Sequence, residues 1–436
     1  MPNNPVRLLY SLLFYGATPL ILARLAWKSR SLPAYRERWR ERFACYDFPP
    51  NPGVVWFHAV SVGEAEAAFP VIRAFRARYP AARLLVTCTT PTGSARIRAV
   101  LADTVSHVYV PYDLPDAVAR FLTHVHPVLA VVMETEICPN LFQGCRQRGI
   151  PLAIVNGRLS VKSANGYRRI AGLAAESLSA VSLVAAQTES DATRYIELGA
   201  SADHVEVVGN VKFDLEFSAK AEAESLRASL FAGRPVWIAG STHPGEEELL
   251  LQALQGIRRE IPEALLVLAP RHPERADGIA ELFRTNGLRV VRRSETLGCD
   301  DSTDVFLLDS LGELRLFYGV ADVAFVGGSL VARGGHNVLE PAAAAIPVLF
   351  GPAMFNFADI AQGLKTSGGG IEIRDAAELA DQVVRLLQDA GMRAAIGNKG
   401  QAFIAANRGA VARVIDLLGK LLESHRAQDH RPLTLN

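Results

Sequence analysis

The chain has 436 residues, is 49% hydrophobic and carries 46 Lys and Arg against 45 Asp and Glu. That is enough apolar surface for two domains with separate cores, and the charge balance gives no global case for nucleic acid. Five cysteines (Cys45, Cys88, Cys138, Cys145, Cys299) are scattered, odd in number and without a CxxC pair, which points to a reducing compartment and away from structural zinc.

Residues 8–23 (LLYSLLFYGATPLILA) carry no charge, with Arg7 before them and Arg24, Lys28 and Arg30 after. The run is slightly short for a bilayer span, so an anchor, an interfacial helix and a signal peptide all fit its length. It lacks a convincing small-residue cleavage site. Arg36, Arg38, Arg40 and Arg42 follow, interleaved with Trp39 and Phe43, which favours a retained membrane anchor with the globular part on the cytoplasmic side. The competing reading is a helix packed on the protein's own core.

From residue 54 strands alternate with helices. VVWFHAV (54–60) reads as a buried strand and SVGEAEAAFPVIRAFRARYP as its helix. LLVTCTT (84–90), HVYVPYD, VLAVVMETEI (128–137), LAIVNGR (152–158), LVAAQTE (183–189) and VEVVGN (205–210) continue the rhythm. A polar helical stretch at 217–234 separates this series from a second: VWIAGST (236–242), LLVLAP (265–270), LRVVRR, VFLLD (305–309), VAFVGG and IPVLFG. Such alternation predicts two doubly wound α/β domains, each a parallel sheet covered on both faces. Ligands are then expected at the carboxyl ends of the strands, in a cleft between the domains. The boundaries expected are 1–30, 31–216, a linker at 217–234, 235–405, and a C-terminal helix and tail at 406–436. The tail is expected to return to the first domain, and AQDHRPLTLN to fray.

Candidate site residues fall just past the strands. Glu64 sits at a strand-to-helix turn, where it is either a base or an ordinary helix-start acid. Glu134 and Glu136 close an apolar strand and would point to opposite faces, so at least one needs a partner; a structural ion pair is the alternative to a site. In the second series, GSTHPGE (240–246) and APRHPER (269–275) each follow a strand. Arg271 and His272 suit a phosphate or a base edge, and DSLGE (309–313) offers backbone groups to a nucleobase.

The stretch 325–357 (FVGGSLVARGGHNVLEPAAAAIPVLFGPAMFNF) reads as strand, Gly-rich loop, helix from near Asn337, and strand. Its loop N–H groups and helix start attract an anion, with Glu340 placed either to cap the helix or to hold sugar hydroxyls. The chain contains no GxSxG, Walker A, HExxH or DxD motif, so a leaving group would be stabilised by helix N-termini and cations such as Arg271 or Lys212, without a metal or cofactor.

Taken together, HAVSVGE (58–64), METEICPN (133–140), NGRLS (156–160), GNVKFD (209–214), GSTHPGEEE (240–248), APRHPER (269–275), DSLGEL (309–314) and GGSLVARGGHNVLEPAA (327–343) resemble the Kdo (3-deoxy-D-manno-octulosonic acid) transferases, glycosyltransferase family 30. The resemblance covers nearly the whole chain. It implies a GT-B fold with an acceptor-binding N-terminal domain and a CMP-sugar-binding C-terminal domain. The implied activity is metal-independent inverting transfer of Kdo from CMP-Kdo to a lipid A precursor, at the cytoplasmic side of the inner membrane, without nucleic acid. By similarity Glu64 matches the general base. Pro270 and Arg271, then Leu311, Gly312 and Glu313, then Asn337, Val338, Leu339 and Glu340 match the CMP-binding segments. Glu134, Glu136, Lys212 and Ser329 lie in the shared motifs as further substrate-binding candidates. Cys138 departs from the family, which usually has Trp there, and this puts local packing near Glu134 and Glu136 in doubt. A sugar-nucleotide 2-epimerase of the same fold and a catalytically silent lipid-binding module are the alternatives.

Overall fold

The computed structural model describes residues 5–30, 32–50, 52–215, 217, 219–231, 233–295 and 299–429, with side chains as far as 425. The first four residues of the expected anchor and the end of the expected frayed tail, from 430 on, lie outside the described residues. Two compact units emerge: one runs to Asp214 and resumes at Arg408, and the other is Leu215–Asn407.

The first unit is built on strands β1 (Val55–His58), β2 (Leu84–Cys88), β3 (Ser106–Tyr109), β4 (Leu129–Met133), β5 (Leu152–Gly157), β6 (Leu183–Ala186) and β7 (Val205–Val207). Their spatial order is β3-β2-β1-β4-β5-β6-β7, and every pairing is parallel. Side chains alternate between two cores: Val55 and Phe57 enter one, Trp56 the other. Both faces are buried because helices supply the crossovers, which is why these strands read as continuous apolar runs. The order reverses between β1 and β4, where a doubly wound sheet opens to a ligand.

The second unit repeats the plan with β8 (Val236–Thr242), β9 (Leu265–Pro270), β10 (Val290–Arg292), β11 (Val305–Leu307), β12 (Val323–Val326), β13 (Val348–Phe350) and β14 (Gly370–Glu372). All its pairings are parallel, in the order β10-β11-β9-β8-β12-β13-β14, so its switch point lies between β8 and β12. The polar stretch expected as a linker forms the helix Lys220–Phe231, which sinks Ala223, Leu230 and Phe231 into this unit's core. The final helix, Ala410–Asp429, belongs to the first unit. Its Ala410, Val414, Ile415, Leu418 and Leu422 pack into the same core as Phe57 and Phe75. The Asp214 carboxylate accepts the N–H groups of Gly409 and Val411 and so fastens the helix start.

The apolar N-terminal run is a helix, Pro5–Lys28. One side docks on the first unit: Tyr10 donates to Asp113 (3.0 Å), Ser11 to Asn140 (3.2 Å) and Tyr15 to Asp116 (2.5 Å). The other side leaves Leu8, Leu9, Leu12, Leu13 and Leu20 exposed. The arginines expected to reach a membrane divide. Arg42 is buried over the Tyr109 ring (4.3 Å). Arg38 pairs with Glu41 (2.6 Å) and donates to the His107 carbonyl. Arg36 and Arg40 are exposed.

Two expected elements are shorter than their patterns. β4 stops at Met133 because Glu134 takes a left-handed backbone (φ 56°), so Glu134 and Glu136 do not alternate across a strand. The helix after the Gly-rich loop begins at Leu339, not near Asn337, and runs only to Ala343.

Candidate active site

In the first unit the loops after β1 and β4, on either side of the switch point, bring three carboxylates into one electrostatic neighbourhood. Ser61 caps the helix Val62–Arg78, accepting the Glu64 N–H (3.4 Å), while Glu64 Oε2 accepts the Val60 N–H (2.7 Å). The pair resembles a capping box shifted by one residue, since Glu64 takes the N–H of the residue before the N-cap; both readings of Glu64 hold a part: one oxygen caps, and among the described residues no hydrogen bond reaches Oε1. Burial pushes the Glu64 carboxyl up from 4.5 to about 7. The Val60 N–H opposes the rise, Glu134 and Glu136 add to it, and Lys212 opposes it. A carboxyl half-ionised near neutrality is suited to accepting a proton.

Glu134 is held by the Lys212 ammonium (2.9 Å) and the Asn156 amide (3.4 Å). The ion-pair alternative therefore describes it as it stands. Asn156, itself at φ 56°, accepts the Val211 N–H (3.1 Å) and takes Gln187 Nε2 on its carbonyl (3.0 Å). These bonds tie the ends of β4, β5 and β6 to the turn carrying Lys212, and they fix where the cation sits. Glu136 is raised by burial, with the Cys138 thiol 3.8 Å from its Oε1 opposing the rise. Cys138 precedes the helix Pro139–Gln147 and packs at the edge of the core. His58, buried on β1 and bonded to Thr87, is pushed by burial down to about 4 and stays neutral.

In the second unit the loops after β8, β9 and β12 meet at the switch point. His243 Nε2 lies 2.8 Å from His336 Nε2 with the rings stacked, and His272 is 6.0 Å from His243 by ring centroids. Burial pushes His336 down to about 4, helped by Arg271, His243 and His272; His243 is also lowered, by burial first and then by His272, Arg333 and Arg271. Cationic and potentially cationic side chains gathered at one sheet edge are chemically suited to an anion. Gly327 and Gly328 are required here. A Cβ on Gly327 would stand 2.7 Å from the Ser241 carbonyl oxygen, and Gly328 has φ 69°.

The remaining candidates separate by exposure. Arg271 is exposed at the end of β9, and Pro270 is buried with it. Leu311 is 83% exposed and Gly312 has φ 90°. Glu313 is tied to Arg293 (2.9 Å), which holds its carboxyl below the usual range. Asn337 accepts the Leu339 N–H (3.1 Å) and donates to Glu340 (3.2 Å). Val338 and Leu339 have no exposed surface, so in this loop Asn337 and Glu340, each half-buried, are the residues with surface to offer a ligand. Ser329 is fully buried, donates to the Val326 carbonyl (2.5 Å) and accepts the Gly351 N–H (2.9 Å), so as it stands it braces the loop. Of the N–H groups that the Gly-rich loop was expected to offer a ligand, three are occupied within the protein. Those of Gly328 (2.7 Å), Ser329 (3.0 Å) and Leu330 (3.1 Å) are taken by the Glu246 carboxylate. Sequence reasoning did not single out His243, His336, Glu246 or Asn156. The histidines stood in quoted motifs, but nothing local showed that residues 93 positions apart would stack.

Comparison with known proteins agrees across the chain. Residues 37–215 match the family model described as 3-deoxy-D-manno-octulosonic-acid transferase. The chain is 41% identical to the 3-deoxy-D-manno-octulosonic acid transferase of Haemophilus influenzae, over 96% of this chain and 99% of that one. It is 35% identical to the protein of the same name from Bordetella pertussis, over 94% and 98%. Among solved structures, UDP-GlcNAc 2-epimerase from Neisseria meningitidis aligns with a TM-score of 0.57 at 13% identity, covering 84% of this chain and 99% of that one. That likeness concerns the fold.

Proposed function

The chain belongs to the Kdo transferase family of glycosyltransferases, and from that premise we propose that it transfers Kdo from CMP-Kdo to a lipid A precursor, lipid IVA, in lipopolysaccharide biosynthesis. In this reading the first unit binds the acceptor and the second the cytidine nucleotide. Glu64 takes the proton of the acceptor hydroxyl as its oxygen forms a bond to the anomeric carbon on the face opposite the leaving group. The bond from that carbon to the phosphate oxygen breaks, and its electron pair leaves with CMP. Inversion follows from this single displacement. The Glu64 carboxyl, displaced to about 7 with Glu134, Glu136 and Lys212 around it, is the observation that carries the assignment.

Lys212 limits how far that carboxyl rises, and it suits contact with an anionic acceptor once its bond to Glu134 is exchanged. In the second unit Arg271, the His243–His336 pair, the backbone around 311–313, and Asn337 and Glu340 are the elements for the nucleotide. A phosphate leaving there needs cations and N–H donors rather than a protein-held metal. The N-terminal helix supports an inner-membrane location on the cytoplasmic side. Its docked face is held by hydrogen bonds from Tyr10, Ser11 and Tyr15 together with Phe14 against Tyr112, and its outer face presents leucines that suit lipid.

The test is to incubate the purified full-length protein in detergent with CMP-Kdo and a tetra-acylated lipid A precursor, then weigh the product. The expected result is a gain of one or more Kdo masses, lost in Glu64→Ala while CMP still binds. A folded protein that yields no mass gain contradicts the transfer, and a Glu64→Ala protein that retains it contradicts the base.

A further inference from the structure

Glu246 has no exposed surface, and its two oxygens accept four backbone N–H groups: Ser329 and Leu330 on Oε1, Gly328 (2.7 Å) and His243 (3.0 Å) on Oε2. Among the described residues no cationic side chain forms an ion pair with it. The adjacent acid is handled in the opposite way. Glu247 is neutralised by the Arg275 fork (3.0 and 2.8 Å) and takes the Thr242 hydroxyl (2.9 Å). A loop of successive N–H groups after a parallel strand is a ready-made phosphate cradle. Here it is filled by a carboxylate of the chain itself, whose negative charge no side chain offsets.

The filled cradle adjoins the histidine pair. The Cβ direction of Gly328, whose N–H bonds to Glu246, points to within 3.1 Å of His336 and 3.3 Å of His243. An anion held by His243, His336 and Arg271 would therefore sit beside Glu246. A second phosphate attached to the first would find those N–H donors taken and would meet a buried like charge.

We infer that Glu246 is a specificity-determining residue that restricts the second unit to nucleotides with a single phosphate and rejects nucleoside diphosphates. This rests on the reading that the nucleotide binds at this sheet edge.

The test compares CMP and CDP binding to the full-length protein by calorimetry, in the wild type, Glu246→Ala and Glu246→Gln. The wild type should prefer CMP by at least about tenfold, the scale of one unfavourable charge contact. In Glu246→Ala, which opens the cradle, that ratio should fall by about tenfold through a gain in CDP affinity. Glu246→Gln, which keeps the shape without the charge, should move the same way. Inorganic phosphate should raise the melting temperature of Glu246→Ala and not of the wild type. A wild type that binds CDP as tightly as CMP, or a folded variant with an unchanged ratio, overturns the inference while leaving the nucleotide site in place. If neither variant folds, the wild-type preference decides. A wild type that binds neither nucleotide refutes the site itself, and the inference with it.

Discussion

Glu64 carries a cost to stability that its proposed role explains. Its folded value, about 7, lies above the ordinary 4.5, so the folded chain tolerates the neutral acid better than the carboxylate. That contribution to stability is fully present below about 4.5 and is lost as pH rises through about 7. Glu64→Gln should therefore melt with the wild type at pH 4.5 and be more stable at pH 8.5, by up to about 3 kcal/mol, while losing transfer. Equal melting at both values would mean that the carboxyl is not displaced. Transfer by the wild type should rise with pH and level off above about 7, because the base works ionised. Lys212→Met removes a charge that favours the carboxylate and should move that midpoint upward. A midpoint that stays put would show that Lys212 does not reach Glu64 electrostatically.

At the scale of elements, a buried carboxylate is one of the groups that fasten the N-terminal helix. Asp113 accepts the N–H groups of Asn140 (3.0 Å) and Leu141 (2.8 Å) and the Tyr10 hydroxyl (3.0 Å). Burial pushes its carboxyl up to about 6 against those donors. Tyr10→Phe removes one donor and should destabilise the first unit by about 1–2 kcal/mol. The loss should be larger at pH 8 than at pH 5, because the ionised form needs the bond most. Thermal unfolding in detergent at the two values measures it, and a pH-independent loss would place the contribution of Tyr10 in packing instead. The Gly-rich loop shows the same dependence on polar bonds at strand ends. Ser329 and Glu246 brace it from inside, so the shape that suggested a ligand cradle is in part a self-satisfied turn.

The whole molecule divides unevenly along the chain. The second unit is continuous, Leu215–Asn407, whereas the first is completed only when the chain returns at Arg408. Leu418, fully buried on the returning helix against the first unit's core, should cost about 2–5 kcal/mol as Leu418→Ala. A chain ending at Asn407 should lose the cooperative melting of the first unit and keep that of the second. Two transitions preserved in calorimetry would show that the returning helix is dispensable.

The sequence by itself determined the alternation of buried strands and helices, hence two parallel sheets with chemistry at their carboxyl ends, and its motif set named the family. Those features are local: an apolar run of strand length, a Ser before a helix, or a glycine after a strand acts within a few residues. Partner choice came only with tertiary structure. Glu134 meets Lys212 from 78 positions away, His336 lies on His243 from 93, and Glu246 takes the loop N–H groups from 82 to 84. The sheet order brings these ends together. Whether a polar group at such an end faces a ligand or a neighbour depends on which donors the fold leaves unfilled, and no local pattern records that.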